Sequence, residues 1–281
     1  MGKFSDVLIA SDFDNTLVYT EGALNTNGEI PPVSEENRQA IEYFMDEGGT
    51  FSICTGRALP AFAPLAPGVP MNGPAILFNG AAIYDFSQKT FLYTAFLPDS
   101  VRQHVHQLEA QMPGITYEIY HDDNSIYAVN PNEITQHHVH LTHSPTVTLS
   151  DIDEAPSPIS KILFEEEPDR LQELYQLILR QPWQNEYEVV PSSRTLMELT
   201  VKGGNKGGML EKLTALVGKS LRHTYCVGDH ANDIPMLKLA AIPFAPANAI
   251  ASVLQLPGIR ILPDCRCHTL AALIDELDKL Y

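Results

Sequence analysis

The chain has 281 residues, 44% hydrophobic and 19% charged, which suits a globular protein long enough to divide into two domains. Its 35 acidic residues against 18 Lys and Arg leave a formal charge of −17, so the basic clusters that grip nucleic acid or an anionic membrane surface are not expected. No apolar run approaches a membrane span and the first residues lack a signal-peptide pattern, which makes a cytoplasmic location the expectation.

The first element is an apolar run at residues 7–10 that ends abruptly in Ser11, Asp12, Phe13, Asp14, Asn15 and Thr16. A short apolar run with β-branched members reads as a strand buried on both faces, the kind found in parallel sheets covered by helices. Residues 21–33 read as a loop, and Ser34 offers an N-cap for a helix with Ala40, Ile41, Phe44 and Met45 on one face, ended by Gly48-Gly49. A second strand at residues 50–54 ends in Thr55-Gly56-Arg57, and a third at residues 75–78 ends in Asn79-Gly80. Strand and helix alternating in this way predict a doubly wound, Rossmann-like parallel sheet.

From residue 82 the pattern becomes alternating, with strands predicted at 82–84, 91–96, 115–120, 125–129, 161–165, 187–190 and 196–201. Helical spacing appears in Val101, Val105 and Leu108, and again in Leu171, Leu174, Tyr175 and Ile178. Residues 144–160 read as an irregular Pro/Ser/Asp-rich interval. Together these predict an inserted α+β domain over residues 82–201, between core segments 1–81 and 202–281. The parallel pattern resumes with a helix through Met209, Leu210, Leu213 and Leu216. A strand at 223–227 then ends in Gly228-Asp229-His230-Ala231-Asn232-Asp233. Strands at 242–244 and 259–262 and a helix through Leu270, Leu273, Ile274 and Leu277 complete the chain.

Cys54 and Cys226 sit in apolar runs and read as buried small hydrophobes. Cys265 and Cys267, with His268, lack the spacing of a zinc knuckle and read as a reduced loop. His137, His138, His140 and His143 read as a solvated loop, and His121, Asp122 and Asp123 as candidates for the substrate side of the inserted domain.

Three strand ends thus carry Asp12/Asp14, Thr55 and Asp229/Asn232/Asp233, and Lys206 opens the helix before the last. In a parallel sheet these ends share one edge, where ligands bind. Two carboxylates about 4 Å apart repel by roughly 4 kcal/mol at an effective dielectric of 20, so a cation is expected among them. Clustered acidic oxygens suit Mg²⁺, which is commonly held by carboxylates, water and substrate phosphate. Lys206 and Thr55 would then grip phosphate oxygens.

Asp12-Phe13-Asp14-Asn15-Thr16, Thr55-Gly56-Arg57, Lys206-Gly207 and Gly228-Asp229-x-x-Asn232-Asp233 resemble, in order, the four motifs of the haloacid dehalogenase superfamily of phosphohydrolases. The insertion after Asn79-Gly80 resembles its Cof-like branch, which carries a large α/β cap there. The resemblance implies a cap domain that excludes water and selects the substrate. It also implies Asp12 as nucleophile, forming an aspartyl phosphate, and Asp14 as general acid and base. Asp12, the Asp14 backbone carbonyl and Asp229 would be Mg²⁺ ligands, with Asp233 binding through water or orienting Lys206. Thr55, Gly56, Arg57, Asn79, Gly80, Lys206 and Asn232 would contact phosphate or substrate, Asn232 either there or at the metal's water shell, with a surface helix position the alternative for Arg57; Lys202 competes with Lys206, which is preferred because Lys-Gly opening a helix matches the motif whereas Lys202 ends a strand. The expected activity is hydrolysis of a small phosphorylated metabolite, a sugar phosphate leading. A phosphomutase of the same superfamily and a non-catalytic regulatory module are the alternatives.

Overall fold

The computed structural model describes residues 2–21, 29–121, 125–142 and 146–281, leaving aside the side chains of Leu141 and Thr142. The chain opens with β1 (Leu8–Ser11), α1 (Glu35–Asp46), β2 (Thr50–Ile53), the single-turn α2 (Leu59–Phe62) and β3 (Ala75–Leu77). A hairpin of β4 (Ala82–Asp85) and β5 (Thr90–Thr94) follows, then α3 (Val101–Gln111), β6 (Tyr117–His121), β7 (Ile126–Val129), α4 (Glu133–Thr142) and β8 (Thr146–Leu149). Next come β9 (Ile159–Glu165), α5 (Pro168–Leu179), β10 (Tyr187–Pro191) and β11 (Leu196–Val201). The last stretch holds α6 (Lys206–Leu216), β12 (Thr224–Val227), α7 (Ile234–Leu237), β13 (Ile242–Pro246), α8 (Ala251–Leu254), β14 (Arg260–Leu262) and α9 (Thr269–Asp278).

The core sheet has the order β14-β13-β12-β1-β2, and every pairing in it is parallel. β1, an interior strand, is buried on both faces, as the apolar run through it requires. Ile9 packs with Ile41 and Phe44 of α1 and Leu273 and Leu277 of α9, while Leu8 and Ala10 pack with Met209 and Leu213 of α6 and Val253 of α8. Ser34 caps α1 by accepting from the Asn37 N–H, and Gly48 follows the helix in the left-handed region at φ +88°. β3 lies beside β2 through a parallel bridge between Cys54 and Ile76 and pairs antiparallel with β4, which pairs with β5. Ile83 and Ala95 of this hairpin belong to the same apolar cluster as α6 and α7.

A six-stranded sheet of order β10-β11-β9-β6-β7-β8 forms the second layer. Strand alternation sorts its residues cleanly. Tyr117, Ile119, Ile162, Phe164, Met197 and Leu199 pack under α3 and α5. The intervening Glu118, Tyr120, Lys161, Leu163, Glu165 and Glu198 must therefore share the opposite face. Register makes them neighbours: Tyr120 pairs with Lys161, and Glu118 and Glu198 both pair with Leu163.

Two expectations are corrected. The histidine-rich segment is the helix α4, not a loop; Asn132 Oδ1 caps it by accepting from the N–H groups of Ile134 (2.8 Å) and Thr135 (3.0 Å). The interval expected to be irregular contains β8, which pairs parallel with β7. β8 is a four-residue edge strand without a buried residue, and its brief Thr-Val-Thr-Leu alternation is submerged in the surrounding Pro/Ser/Asp-rich composition. Residues 22–28 of the expected loop, residues 144–145, and Asp122, Asp123 and His143 lie outside the described residues.

Candidate active site

β1, β2 and β12 run parallel in adjacent register, so their C-terminal ends deliver Asp12, Thr55 and Asp229 to one edge. The Asp12 N–H donates to Val227 O at 2.9 Å, which fixes the nucleophile candidate just past the sheet. Lys206, the first residue of α6, is fully buried and bridges two carboxylates: its Nζ lies 2.6 Å from Asp12 Oδ1 and 2.6 Å from Asp233 Oδ1. The other Asp233 oxygen accepts from the N–H groups of Asp229 and His230, both at 2.9 Å. Gly228 is required for this approach, because a Cβ there would stand 2.4 Å from Asp233 Cγ. Thr16 Oγ1 donates to Asp229 Oδ1 at 3.3 Å.

Burial and neighbouring charge act on these groups in opposing directions. Asp12 is raised well above the usual carboxylate range, first by desolvation, which the ammonium of Lys206 opposes, and further by Asp233, Asp229 and Asp14. Asp229 is pushed up to about 7 by burial and by Asp233. Burial works against the charge on Lys206, but Asp12 and Asp233 outweigh it and raise its pKa.

Oxygens of Asp12, Asp229 and Asp233 all lie within 4.8 Å of one another. Three carboxylates against one ammonium leave an excess of negative charge, and Asn232, in the same loop as Asp229 and Asp233, has a buried Oδ1 without a hydrogen-bond partner. Crowded hard oxygens with an orphaned acceptor are the donor set Mg²⁺ takes. The residues present fit the expected cation.

A cavity of about 320 Å³ opens above this group. Asp12, Asp14, Gly56, Arg57, Asn79, Asp229 and Asn232 line it, as does His230, whose Nδ1 is buried without a hydrogen-bond partner. Thr55, Lys206, Asp233 and Gly80 stand behind that wall. Thr55 Oγ1 accepts from the Arg57 N–H at 3.1 Å. Gly80 has φ +103°, and a Cβ on it would collide with the backbone of Asn205 at 2.1 Å, so it serves the close approach of α6. Arg57 turns to Asp14, to which it donates from Nε (2.9 Å) and Nη2 (2.7 Å). Lys202, the competing lysine, is exposed and pairs with Glu188 at 3.1 Å.

The opposite wall comes from the second sheet: Tyr120, Lys161, Leu163, Leu196 and Glu198, with Ser192 and His138. Its charges are paired. Lys161 Nζ stands 3.3 Å from Glu198 Oε2 and 4.4 Å from the Tyr120 ring centroid. His138 Nδ1 lies 3.1 Å from Glu118 Oε2 and 3.2 Å from Glu165 Oε1; burial lowers its pKa, but the two glutamates prevail and hold it up at about 9. His121 is not part of this wall: its Nε2 faces Ser157 O at 3.1 Å. The wall residues were missed in the sequence, although one signal was present. Glu118, Lys161, Glu165 and Glu198 are charges set within predicted half-buried strands, where a charge needs a partner or a role.

His137 and His140 are exposed on α4, and only His138, half-buried, reaches the cavity. Cys54, Cys226 and Cys265 are buried and free, Cys267 exposed and free. Among the described residues Cys265 and Cys267 join no cluster of three ligating side chains. No helix among the described residues is long and apolar enough to cross a membrane.

Residues 9–257 match the family model described as haloacid dehalogenase-like hydrolase, which spans both layers and the whole site. The chain belongs to the haloacid dehalogenase-like hydrolases. A putative phosphatase from Bacillus subtilis, YxeH, is 26% identical over 277 residues, covering 96% of this chain and 97% of that protein. A second B. subtilis protein, the 5-amino-6-(5-phospho-D-ribitylamino)uracil phosphatase YwtE, is 25% identical over 267 residues, covering 86% of this chain and 88% of its own. A solved haloacid dehalogenase-like hydrolase from Bacteroides thetaiotaomicron superposes with a TM-score of 0.79 at 21% identity, over 98% of this chain and 100% of its own, which shows a shared fold.

Proposed function

We propose that the chain is a Mg²⁺-dependent phosphatase that hydrolyses the monophosphate ester of a small, neutral, hydroxyl-rich metabolite, a sugar phosphate being the leading class. The observation that carries this reading is the buried Asp12–Lys206–Asp233 bridge, with Asp229 alongside, at the floor of a cavity roofed by paired charges. Relatives named as phosphatases along nearly the full length support it. Asp12, Asp229 and Asp233 would hold the cation, with Asn232 beside them. When bound it would polarise the phosphoryl group and offset the clustered negative charge.

Asp12 attacks phosphorus through the oxygen that Lys206 does not hold, and the bond from phosphorus to the leaving oxygen breaks. Asp14 enters this step protonated at a lone pair that the Arg57 fork leaves free, and gives that proton to the leaving oxygen. Asp14 then takes a proton from water as the water's oxygen attacks phosphorus, and the bond from Asp12 to phosphorus breaks. Lys206 keeps Asp12 in place throughout. On the roof, Lys161 and His138 are each neutralised by glutamate, so among the described residues there a second phosphate would find no unpaired cation, whereas hydroxyls would find donors and acceptors together.

The test is Mg²⁺-dependent release of orthophosphate from a panel of sugar monophosphates and bisphosphates. Turnover of monophosphates over bisphosphates is expected. Preference for bisphosphates would overturn the substrate class, and isomer formation without free phosphate would replace hydrolysis by transfer.

A further inference from the structure

A second cluster of ligating side chains lies in the second layer, apart from the carboxylates at the cavity floor. Glu118 on β6, Glu165 on β9 and His138 on α4 each bring one ligating atom within 4.8 Å of the other two. Both glutamates are buried, and His138 Nδ1 stands 3.1 Å from Glu118 Oε2 and 3.2 Å from Glu165 Oε1.

An imidazole cannot satisfy this arrangement. Nδ1 carries at most one proton, and that proton makes at most one well-aligned hydrogen bond. Glu118 Oε2 has it, and accepts from the Tyr120 hydroxyl at 2.7 Å as well. Glu165 is left with two buried oxygens, neither of which has a hydrogen-bond partner. The Thr135 hydroxyl is near enough to favour the charge on Glu165, but its proton goes to Asn132 Oδ1 at 3.4 Å. Charge on this face is short in the same sense. Among the described residues, Glu118, Glu165 and Glu198 set three carboxylates against Lys161 and, at most, a protonated His138. A divalent ion on the imidazole lone pair, in place of the proton, would bring the sum to zero and give Glu165 a partner.

We propose that Glu118, His138 and Glu165 form a second divalent-cation site, a structural one that pins α4 to the six-stranded sheet. One imidazole nitrogen and two carboxylate oxygens suit an ion of the Zn²⁺ class. The floor group offers oxygens only and suits Mg²⁺, so the two sites would sort their ions by donor chemistry. α4 has use for such a staple. A helix of 10 residues does not hold itself, and Thr135 is its one buried residue among those described. The Tyr120 hydroxyl would orient the Glu118 carboxylate on the ion. In the metal-free protein a proton takes the ion's place on Nδ1. His106, Asp151 and Asp153 form a rival cluster, but they are more exposed and both ring nitrogens of His106 already face carboxylates. The proposal does not rest on the phosphatase reading.

Zn²⁺ titration calorimetry in excess Mg²⁺ tests it, with Asp229→Asn as a background in which the floor group is disabled. One Zn²⁺ per chain is expected in that background. Adding His138→Gln or Glu165→Gln is expected to weaken its binding by at least about 100-fold, the upper cost of losing a mere outer-shell partner. A smaller loss in either variant overturns the proposal. Zn²⁺ that the unsubstituted protein binds and Asp229→Asn does not belongs to the floor, and this also overturns it. So does loss of binding in His106→Gln, which would move the ion to the rival cluster. A cooperative melt in chelator shows that each variant is folded. If the ligand variants do not fold, imidazole ¹⁵N spectra of the Asp229→Asn protein decide: Zn²⁺ must shift the ring nitrogens of one histidine other than His106. No such shift overturns the site.

Discussion

Arg57 holds both carboxylate oxygens of Asp14, from Nε to Oδ2 at 2.9 Å and from Nη2 to Oδ1 at 2.7 Å. The pair stands at the cavity wall, with the guanidinium carbon 5.6 Å from the Phe13 ring centroid. A planar fork fixes a carboxylate in plane and direction, which a single ammonium does not. Arg57 is therefore a positioning group for the proposed acid, where the sequence offered only a surface residue or a substrate contact.

Replacing Arg57 with Met is expected to lower turnover of a sugar phosphate about 100-fold, the scale of a lost general acid. In the first, leaving-group step it should slow release of p-nitrophenolate far less, because p-nitrophenolate leaves without a proton; only the later attack of water needs Asp14 with both substrates. Lys at position 57 should recover only part of the loss. Equal losses on the two substrates in that first step would assign Arg57 to phosphate binding instead.

Asp12→Asn should abolish turnover, with a loss of at least about 10³-fold, while the fold persists. Lys206 keeps Asp233 as its partner at 2.6 Å, and one charge leaves a buried cluster of three carboxylates. The melting temperature is accordingly expected to be no lower than that of the unsubstituted protein. Residual activity within tenfold would sink the nucleophile assignment.

Lys206→Ala and Lys202→Ala separate the two candidate lysines. Removing Lys206 strands Asp12 and Asp233 in the interior, a break that costs on the order of 3–5 kcal/mol when one partner of a buried pair is lost. Removing Lys202, whose side chain is 62% exposed, should change stability by no more than about 0.5 kcal/mol. Denaturant titrations and steady-state rates with p-nitrophenyl phosphate check both, and the reverse order of effects would overturn the assignment of the third motif.

How much of this was legible in the sequence follows from which interactions leave a periodic trace. β1, β2 and β12 are buried on both faces; β1 and β12 are largely apolar, β2 sets Phe51, Ile53 and Cys54 around a buried Ser52, and all three end in polar residues. The parallel rule then converges Asp12, Thr55 and Asp229 without further information. Lys206 could be preferred over Lys202 because a Lys-Gly helix start differs visibly from a strand end. The cap wall left a weaker trace. Lys161 and Glu198 lie on adjacent strands only once the order β11-β9-β6 is known, and antiparallel order in an inserted domain is not written in any one strand. α4 was hidden for another reason: its helix is polar along most of its length, and the cap at Asn132 is a single residue in a Pro-Asn turn that reads equally well as a loop.

That helix carries the last prediction. His138 is raised from the ordinary 6.5 to about 9 by Glu118 and Glu165, which outweigh its burial. A histidine whose folded pKa lies above its unfolded value stabilises the protein fully below about pH 6.5, and the contribution is lost as pH rises through about 9. The gap corresponds to on the order of 3 kcal/mol at its fullest. Thermal melts at pH 6 and pH 9.5 should therefore show a fall of several degrees that His138→Gln removes. Gln can still donate to one glutamate, so the variant separates loss of the charge from loss of the contact. The sign matters for activity too, since His138 stands on the cavity wall: the charge balance of the roof shifts toward its glutamates over the same interval. An identical pH dependence in the variant would mean that His138 is neutral at pH 6 and that the two glutamates are balanced in another way.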